Sequence, residues 1–188
     1  AQGIEMKGMG VVMDFTMIHF KADLSEIVKD KPAILYWVMA QECAGTLIAY
    51  DIKDNWVFMC PHDETVIENS AITDEFCHEL LLKAIGTTDV EVEVLGNGRW
   101  GLGSQVAESY RHKNVFLVGD AAHRYPPSGG LGLNTGVGDA HNLAWKIAGV
   151  LKGWAWPDLL DSYESERQRI AQINADFSVD NAGKLFSI

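Results

Sequence analysis

The sequence is short of cysteine, of basic residues and of long apolar runs, and each shortage closes off a class of protein. Its three cysteines, Cys43, Cys60 and Cys77, are an odd number with no C-x-x-C pair. Neither a disulfide framework nor a cysteine-rich zinc site is expected; buried, reduced thiols in a cytoplasmic protein are. Lysine and arginine total 15 against 26 acidic residues, a formal net charge of -11. That balance argues against a nucleic-acid surface, because phosphate contact needs clustered cations. No apolar run approaches the ~20 residues that cross a bilayer, so no membrane partner is expected. The opening Ala1-Gln2-Gly3-Ile4-Glu5 lacks the basic flank and apolar core of a signal peptide. It also lacks an initiator methionine, and the expectation is a piece of something longer. No G-x-G-x-x-G run opens a βαβ unit, which counts against a plain nicotinamide dehydrogenase. Metal is not expected either: His62-Asp63-Glu64 and His78-Glu79 lack helix-borne H-E-x-x-H spacing and read as solvated polar residues.

What is present suits a folded domain, with 47% hydrophobic and 22% charged residues. Val11 to Phe20 and Ala33 to Met39 are rich in β-branched and aromatic residues and predict strands. Ala44 to Asp51 and Trp56 to Met59 predict a hairpin turning through Lys53-Asp54-Asn55. Thr73 stands as N-cap before Asp74 and Glu75 and the stripe Phe76, Leu80, Leu81 and Ile85, with Gly86 as the stop. Val90 to Leu95 alternates at period two and predicts another strand. Near residue 100 the style changes, so the expected units are 1–100, a β-rich layer with one helix, and 101–188. In the second, Asn114 to Val118 predicts a short strand buried in a parallel sheet. A helix from about Asn134 to Leu151 follows, and then a last helix opened by Pro157.

The informative stretch joins these elements. After the apolar strand, Gly119 allows close approach of a ligand to the backbone, and Asp120 projects where open α/β sheets bind ligands. Pro126-Pro127 stiffens the loop, Gly129-Gly130-Leu131-Gly132 turns amides inward, and the following helix presents unpaired N–H groups and a positive dipole end. Such a loop suits hydroxyls at one point and a delocalised anion at another, as the ribityl chain and N1–C2=O edge of a reduced flavin supply.

The run G-D-A-A-H-R-x-P-P-x-G-G-x-G-x-N-x-G from Gly119 and the tail D-A-x-N-L-A-W-K from Asp139 resemble the FAD-dependent aromatic-ring hydroxylases, the family of p-hydroxybenzoate and phenol hydroxylases. Tyr163-Glu-Ser-Glu-Arg167 resembles the Y-E-x-E-R stretch that follows in that family, and residues 11–95 resemble its substrate-covering sheet. The family's G-x-G-x-x-G and D-G segments are absent from these residues, so the FAD site here is incomplete. Gly96-Asn-Gly-Arg-Trp-Gly101 matches the first only loosely. The resemblance implies an α/β (α+β) fold, a β-sheet layer joined to the C-terminal portion of a Rossmann-like FAD-binding domain. It implies cofactor contacts at Gly119, Asp120, Pro127, Gly130, Gly132, Leu133 and Asn134, with Pro127 beside the flavin's reacting edge as the catalytic position. The implied reaction uses NAD(P)H and dioxygen and passes an oxygen atom from a flavin hydroperoxide to a small phenolic substrate. Epoxidation or drug modification by the same motif, and a truncated, non-catalytic fragment, are the alternatives, and association with further copies of the chain is left open.

Several residues admit two readings. Tyr36, Trp37 and Trp56 are candidates to line an aromatic substrate pocket, as are Phe58 and Trp100, with core packing the plainer role. His19 is a core histidine or a cavity residue. His123 reads as structural or cofactor-packing rather than as a base, and Asp139, Asn142 and Trp145 as helix-packing and capping residues rather than flavin contacts. Arg111 is a surface residue or the partner of an acid.

Overall fold

The computed structural model describes residues 3–62 and 72–186. They form two compact units, one of residues 13–101 and one of residues 1–12 with 102–188. Residues 1–12 thus pack with the C-terminal segment, although they were grouped with the β-rich layer on sequence. Two long strands, β1 (Met6–Lys21) and β5 (Glu93–Ala107), run through both units. β5 extends well past the expected Val90–Leu95, straight through Gly96, Gly98, Gly101 and Gly103. Gly103 shows why glycine is tolerated: a Cβ there would stand 2.9 Å from the Gly10 carbonyl oxygen, so close backbone approach requires its absence.

In the 13–101 unit the strand order is β2-β3-β4-β1-β5, with β2 Leu35–Val38, β3 Gly45–Asp51 and β4 Asn55–His62. The β3–β4 hairpin forms as predicted, with Asp51 opposite Asn55 and the Asp51 carboxylate accepting from the Lys53 amide at 2.9 Å. β4 runs antiparallel to β1, pairing Ile18 with Phe58 and Phe20 with Trp56, and these four side chains are fully buried. They form the core with Leu24, Leu47, Cys60 and, from helix α2 (Asp74–Ile85), Cys77 and Leu81. A short helix α1, Ser25–Val28, precedes β2. α2 has the predicted ends: the Thr73 hydroxyl accepts from the Phe76 amide, and Gly86 takes the left-handed conformation with φ 85°. All three cysteines are free and buried.

Two histidines depart from expectation here. His62 is buried and its Nδ1 lies 3.0 Å from the Thr16 hydroxyl, because β4 turns it inward; it is not a solvated polar residue. Asp63 and Glu64 lie outside the described residues. His19 is exposed and bonds Asn55 at 2.8 Å, since the alternation that buries Ile18 and Phe20 turns it to solvent. His78 is half-buried on α2, and among the described residues no cluster of three or more His, Cys, Asp or Glu could hold a metal ion.

In the other unit the order is β1-β5-β8, where β8 (His123–Arg124) pairs antiparallel with Gln105 and Val106. The predicted parallel strand Asn114–Val118 is corrected. Only β7 (Val115–Phe116) forms, antiparallel to β6 (Arg111–His112) across the turn Lys113-Asn114, with Lys113 at φ 54°. A pair of strands two residues long covers neither face, and Val115 is 43% exposed. Helix α3 spans Leu131–Leu151, three residues earlier than predicted, because Gly130 at φ 66° sets the chain into the helix with no side chain to obstruct it. Pro157 opens a 3-10 turn, Pro157–Asp161, that leads into helix α4, Ser162–Phe186. Among the described residues no helix is long and apolar enough to cross a membrane.

Candidate functional site

The loop between β7 and α3 begins with a 3-10 turn, Gly119–Ala121, in which Gly119 has φ 58°. That conformation is open to glycine and costs other residues. It presents Asp120 to solvent, with no ion pair or side-chain hydrogen bond among the described residues. The Asp120 carbonyl accepts from Arg124 Nε at 3.2 Å. Pro126 is buried and anchors the loop, while Pro127 is exposed. Gly129 and Gly130 both have positive φ, and a Cβ on Gly130 or Gly132 would meet only open space. The α3 amides from Leu131 to Leu133 have no intrahelical acceptor, and no side chain caps them. Leu133 is 80% exposed, and Asn134, also exposed, donates to the Gly130 carbonyl at 3.1 Å. The turn and α3 touch directly: a Cβ on Gly136 would lie 3.3 Å from the Gly119 Cα. An unpartnered carboxylate, a rigid proline and uncapped amides behind side-chain-free glycines fit a ligand bearing both hydroxyls and an anionic edge.

Beneath this surface sits a network that the sequence reading reduced to helix packing. Asp139 is wholly buried and accepts three hydrogen bonds, from His123 Nε2 at 2.7 Å, Arg167 Nε at 2.8 Å and the Gly119 amide at 3.2 Å. Burial by itself would push its carboxyl up, but these donors outweigh burial and hold it below the usual carboxylate range. Arg167 Nη2 also donates to the Thr135 carbonyl at 3.2 Å. Gly138 makes room for that guanidinium, since a Cβ there would stand 2.7 Å from Nη2. His123 is itself enclosed, stacked against Tyr125 at 5.3 Å and Tyr110 at 6.5 Å. Burial, with the Asp139 charge next, pushes the Tyr110 hydroxyl well up, so it stays neutral.

The two sequence tails prove to be partners. α3 and α4 run antiparallel and are tied by Thr135–Asn174, Asp139–Arg167, Asn142–Glu166 and Lys146–Glu166. Lys146 is completely buried and also donates to the Ser162 hydroxyl at 2.6 Å. Hydrogen bonds from Lys146 and Asn142 lower the Glu166 carboxyl to about 2. Glu164 accepts from the Ser109 hydroxyl and the Tyr110 amide, both at 2.7 Å, and the Tyr163 hydroxyl donates to the Leu117 carbonyl at 2.7 Å. Opposite charges recurring in motifs on two successive helices were the signal available in sequence. Trp145 caps nothing; it stacks on Trp154 at 6.4 Å. Arg111 pairs with Asp161 and lies over the Phe116 ring.

The substrate candidates separate by burial. Trp56 is enclosed in the core, Tyr36 is half-buried with its hydroxyl accepting from the Ala33 amide, and Trp37 is 55% exposed. Phe58 is a core residue, and Trp100 packs tilted against Phe15.

Known proteins share this sequence and fold. Residues 1–178 match the family described as an FAD binding domain. The chain is 38% identical over 182 residues to the tetracenomycin A2 monooxygenase-dioxygenase of Streptomyces glaucescens, covering 93% of this chain and 32% of that protein. It is 36% identical over 180 residues to the 4-methyl-5-nitrocatechol 5-monooxygenase of a Burkholderia species, covering 93% and 33%. The crystal structure of aklavinone-11 hydroxylase in a ternary complex with FAD and aklavinone superposes with a TM-score of 0.88 at 34% identity, covering 94% of this chain and 33% of that one. The chain therefore spans about a third of the length of these relatives. With nearly its whole length matched, the chain belongs to the FAD-binding-domain family of flavoprotein monooxygenases and hydroxylases.

Proposed function

We propose that the protein is an FAD-dependent monooxygenase that hydroxylates an aromatic ring, using NAD(P)H and dioxygen. The observation that carries this is the exposed, unpartnered Asp120 on the Gly119 turn, in one loop with the uncapped α3 amides. FAD, when bound, supplies the reduction of dioxygen and the oxygen transfer. The chain's own residues bind and orient. Asp120 would accept hydrogen bonds from the ribityl hydroxyls. The amides of Leu131 to Leu133, at the positive end of α3, would favour negative charge on the flavin's N1–C2=O edge. Gly130 and Gly132 leave room for the ring, and Asn134 braces the first turn through Gly130. Pro127, rigid and exposed, would lie against the reacting edge and help exclude water there.

An aromatic substrate is supported by relatives named for tetracenomycin A2 and a nitrocatechol. Trp37, and Tyr36 in part, have ring surface free to meet such a substrate. The test is to supply the full chain with FAD, reduced nicotinamide, 18O-labelled dioxygen and catechol-type or polycyclic phenols. One labelled hydroxyl per product and per nicotinamide consumed is expected. Protein that binds FAD but gives only an epoxide would redirect the assignment, and failure to bind FAD at any concentration would overturn it.

A further inference from the structure

We infer that Asp139 is the positioning residue of the cofactor site, setting the Asp120 carboxylate and the α3 amides in register through one shared acceptor; the inference rests on the flavin reading above. Two parts of the loop and one residue of α4 converge on this one side chain. Its Oδ2 takes the amide of Gly119, the residue whose positive φ aims Asp120 outward. The same oxygen takes His123 Nε2, which fixes the end of the turn and the start of β8. Its Oδ1 takes Arg167, which reaches on to the Thr135 carbonyl in the second turn of α3. Asp139 is itself on α3, so the helix that offers the amides also holds the turn that offers the carboxylate.

The arrangement is selective. A backbone amide hydrogen-bonded to a buried carboxylate is not free to rotate, and glycine at 119 would otherwise visit many conformations. Small displacements of positioned groups have large effects on binding and reaction. Other ties between α3 and α4, such as Lys146 to Ser162 and Glu166, hold the same helices without touching the loop. They serve as controls for a role that is only structural.

The test is a double-mutant cycle on FAD affinity in the full chain, with Asp120→Ala, Asp139→Asn and both together, beside Lys146→Met. Asp139→Asn is expected to raise the FAD Kd at least about tenfold, and to add distinctly less once Asp120 is already alanine, the remainder acting through the α3 amides. Lys146→Met is expected to lower Tm while leaving Kd within about twofold. If Asp139→Asn does not fold, Gly138→Ala serves instead, since its Cβ displaces the Arg167 guanidinium without touching the loop. It should show the same dependence on Asp120. Fully multiplicative losses, or an equal loss of affinity in Lys146→Met, would overturn the positioning role. An Asp120→Ala variant that binds FAD as the wild type does would overturn the flavin reading itself, and this inference with it.

Discussion

Replacing Arg167 by methionine removes one donor from a carboxylate that has no access to water. Asp139 is fully buried and Arg167 is 16% exposed, so the pair lies in the regime where loss of one partner costs about 3–5 kcal/mol. Asp139 keeps His123 and the Gly119 amide, which places the expected loss near the lower end, about 3 kcal/mol. At about 2–4 °C per kcal/mol for a chain of this size, the fall in Tm is ~6–12 °C. The contrast is Lys7→Met, which breaks a solvent-screened pair with Glu108 and should leave Tm nearly unchanged. The effect carries a sign in pH. The Asp139 carboxyl is held below its ordinary range in the folded state, so its contribution is present above the unfolded value, about 3.9, and disappears as pH falls through the lower, folded one. The gap between wild type and Arg167→Met should therefore be widest near neutrality and close in acid. Thermal melts from pH 7 down to pH 3 measure it. A neutral-pH loss no larger than that of Lys7→Met, or a gap that widens in acid, would refute the reasoning.

Two further outcomes follow from burial and from the motif content. Trp56→Ala should cost about 3–5 kcal/mol and Trp37→Ala within about 0.5 kcal/mol by chemical denaturation, since the first ring is core and the second is more than half exposed; equal losses would contradict that division. The 188-residue chain by itself should bind FAD weakly, because no G-x-G-x-x-G segment is among its residues to receive the pyrophosphate. Flavin fluorescence on titration reads this, and tight stoichiometric quenching would count against it.

What the sequence disclosed was local. Thr73 and Gly86 mark both ends of α2 by chemistry confined to one turn each, and the β3–β4 hairpin declares itself through alternation and a polar turn. The turns of the loop at Gly119, Gly129 and Gly130 were readable because a left-handed backbone demands glycine at fixed places. Pairings set by distant residues were not readable. Whether Val115–Phe116 joins a parallel sheet or an antiparallel pair depends on which strand lies beside it, and the apolar run is the same in both cases. On sequence the strand stops at Leu95, and only the proximity of Gly10 shows that Gly103 permits close strand approach. Asp139 is 28 residues from Arg167 and 20 from Gly119, so no spacing rule within one helix could join them.

The account stands most directly on Asp120, and the FAD affinity of the Asp120→Ala protein tests it. The lost hydrogen bonds to a charged acceptor, about 1.5–3 kcal/mol, correspond to roughly a 10- to 100-fold weaker FAD affinity. Because Asp120 is exposed and its side chain ties nothing else among the described residues, stability should change by less than about 0.5 kcal/mol. FAD titration, beside a thermal melt of the FAD-free protein, reads both quantities. Weaker FAD affinity with the Tm of the FAD-free protein held is the predicted result; unchanged affinity, or affinity and FAD-free stability lost together, would contradict the account.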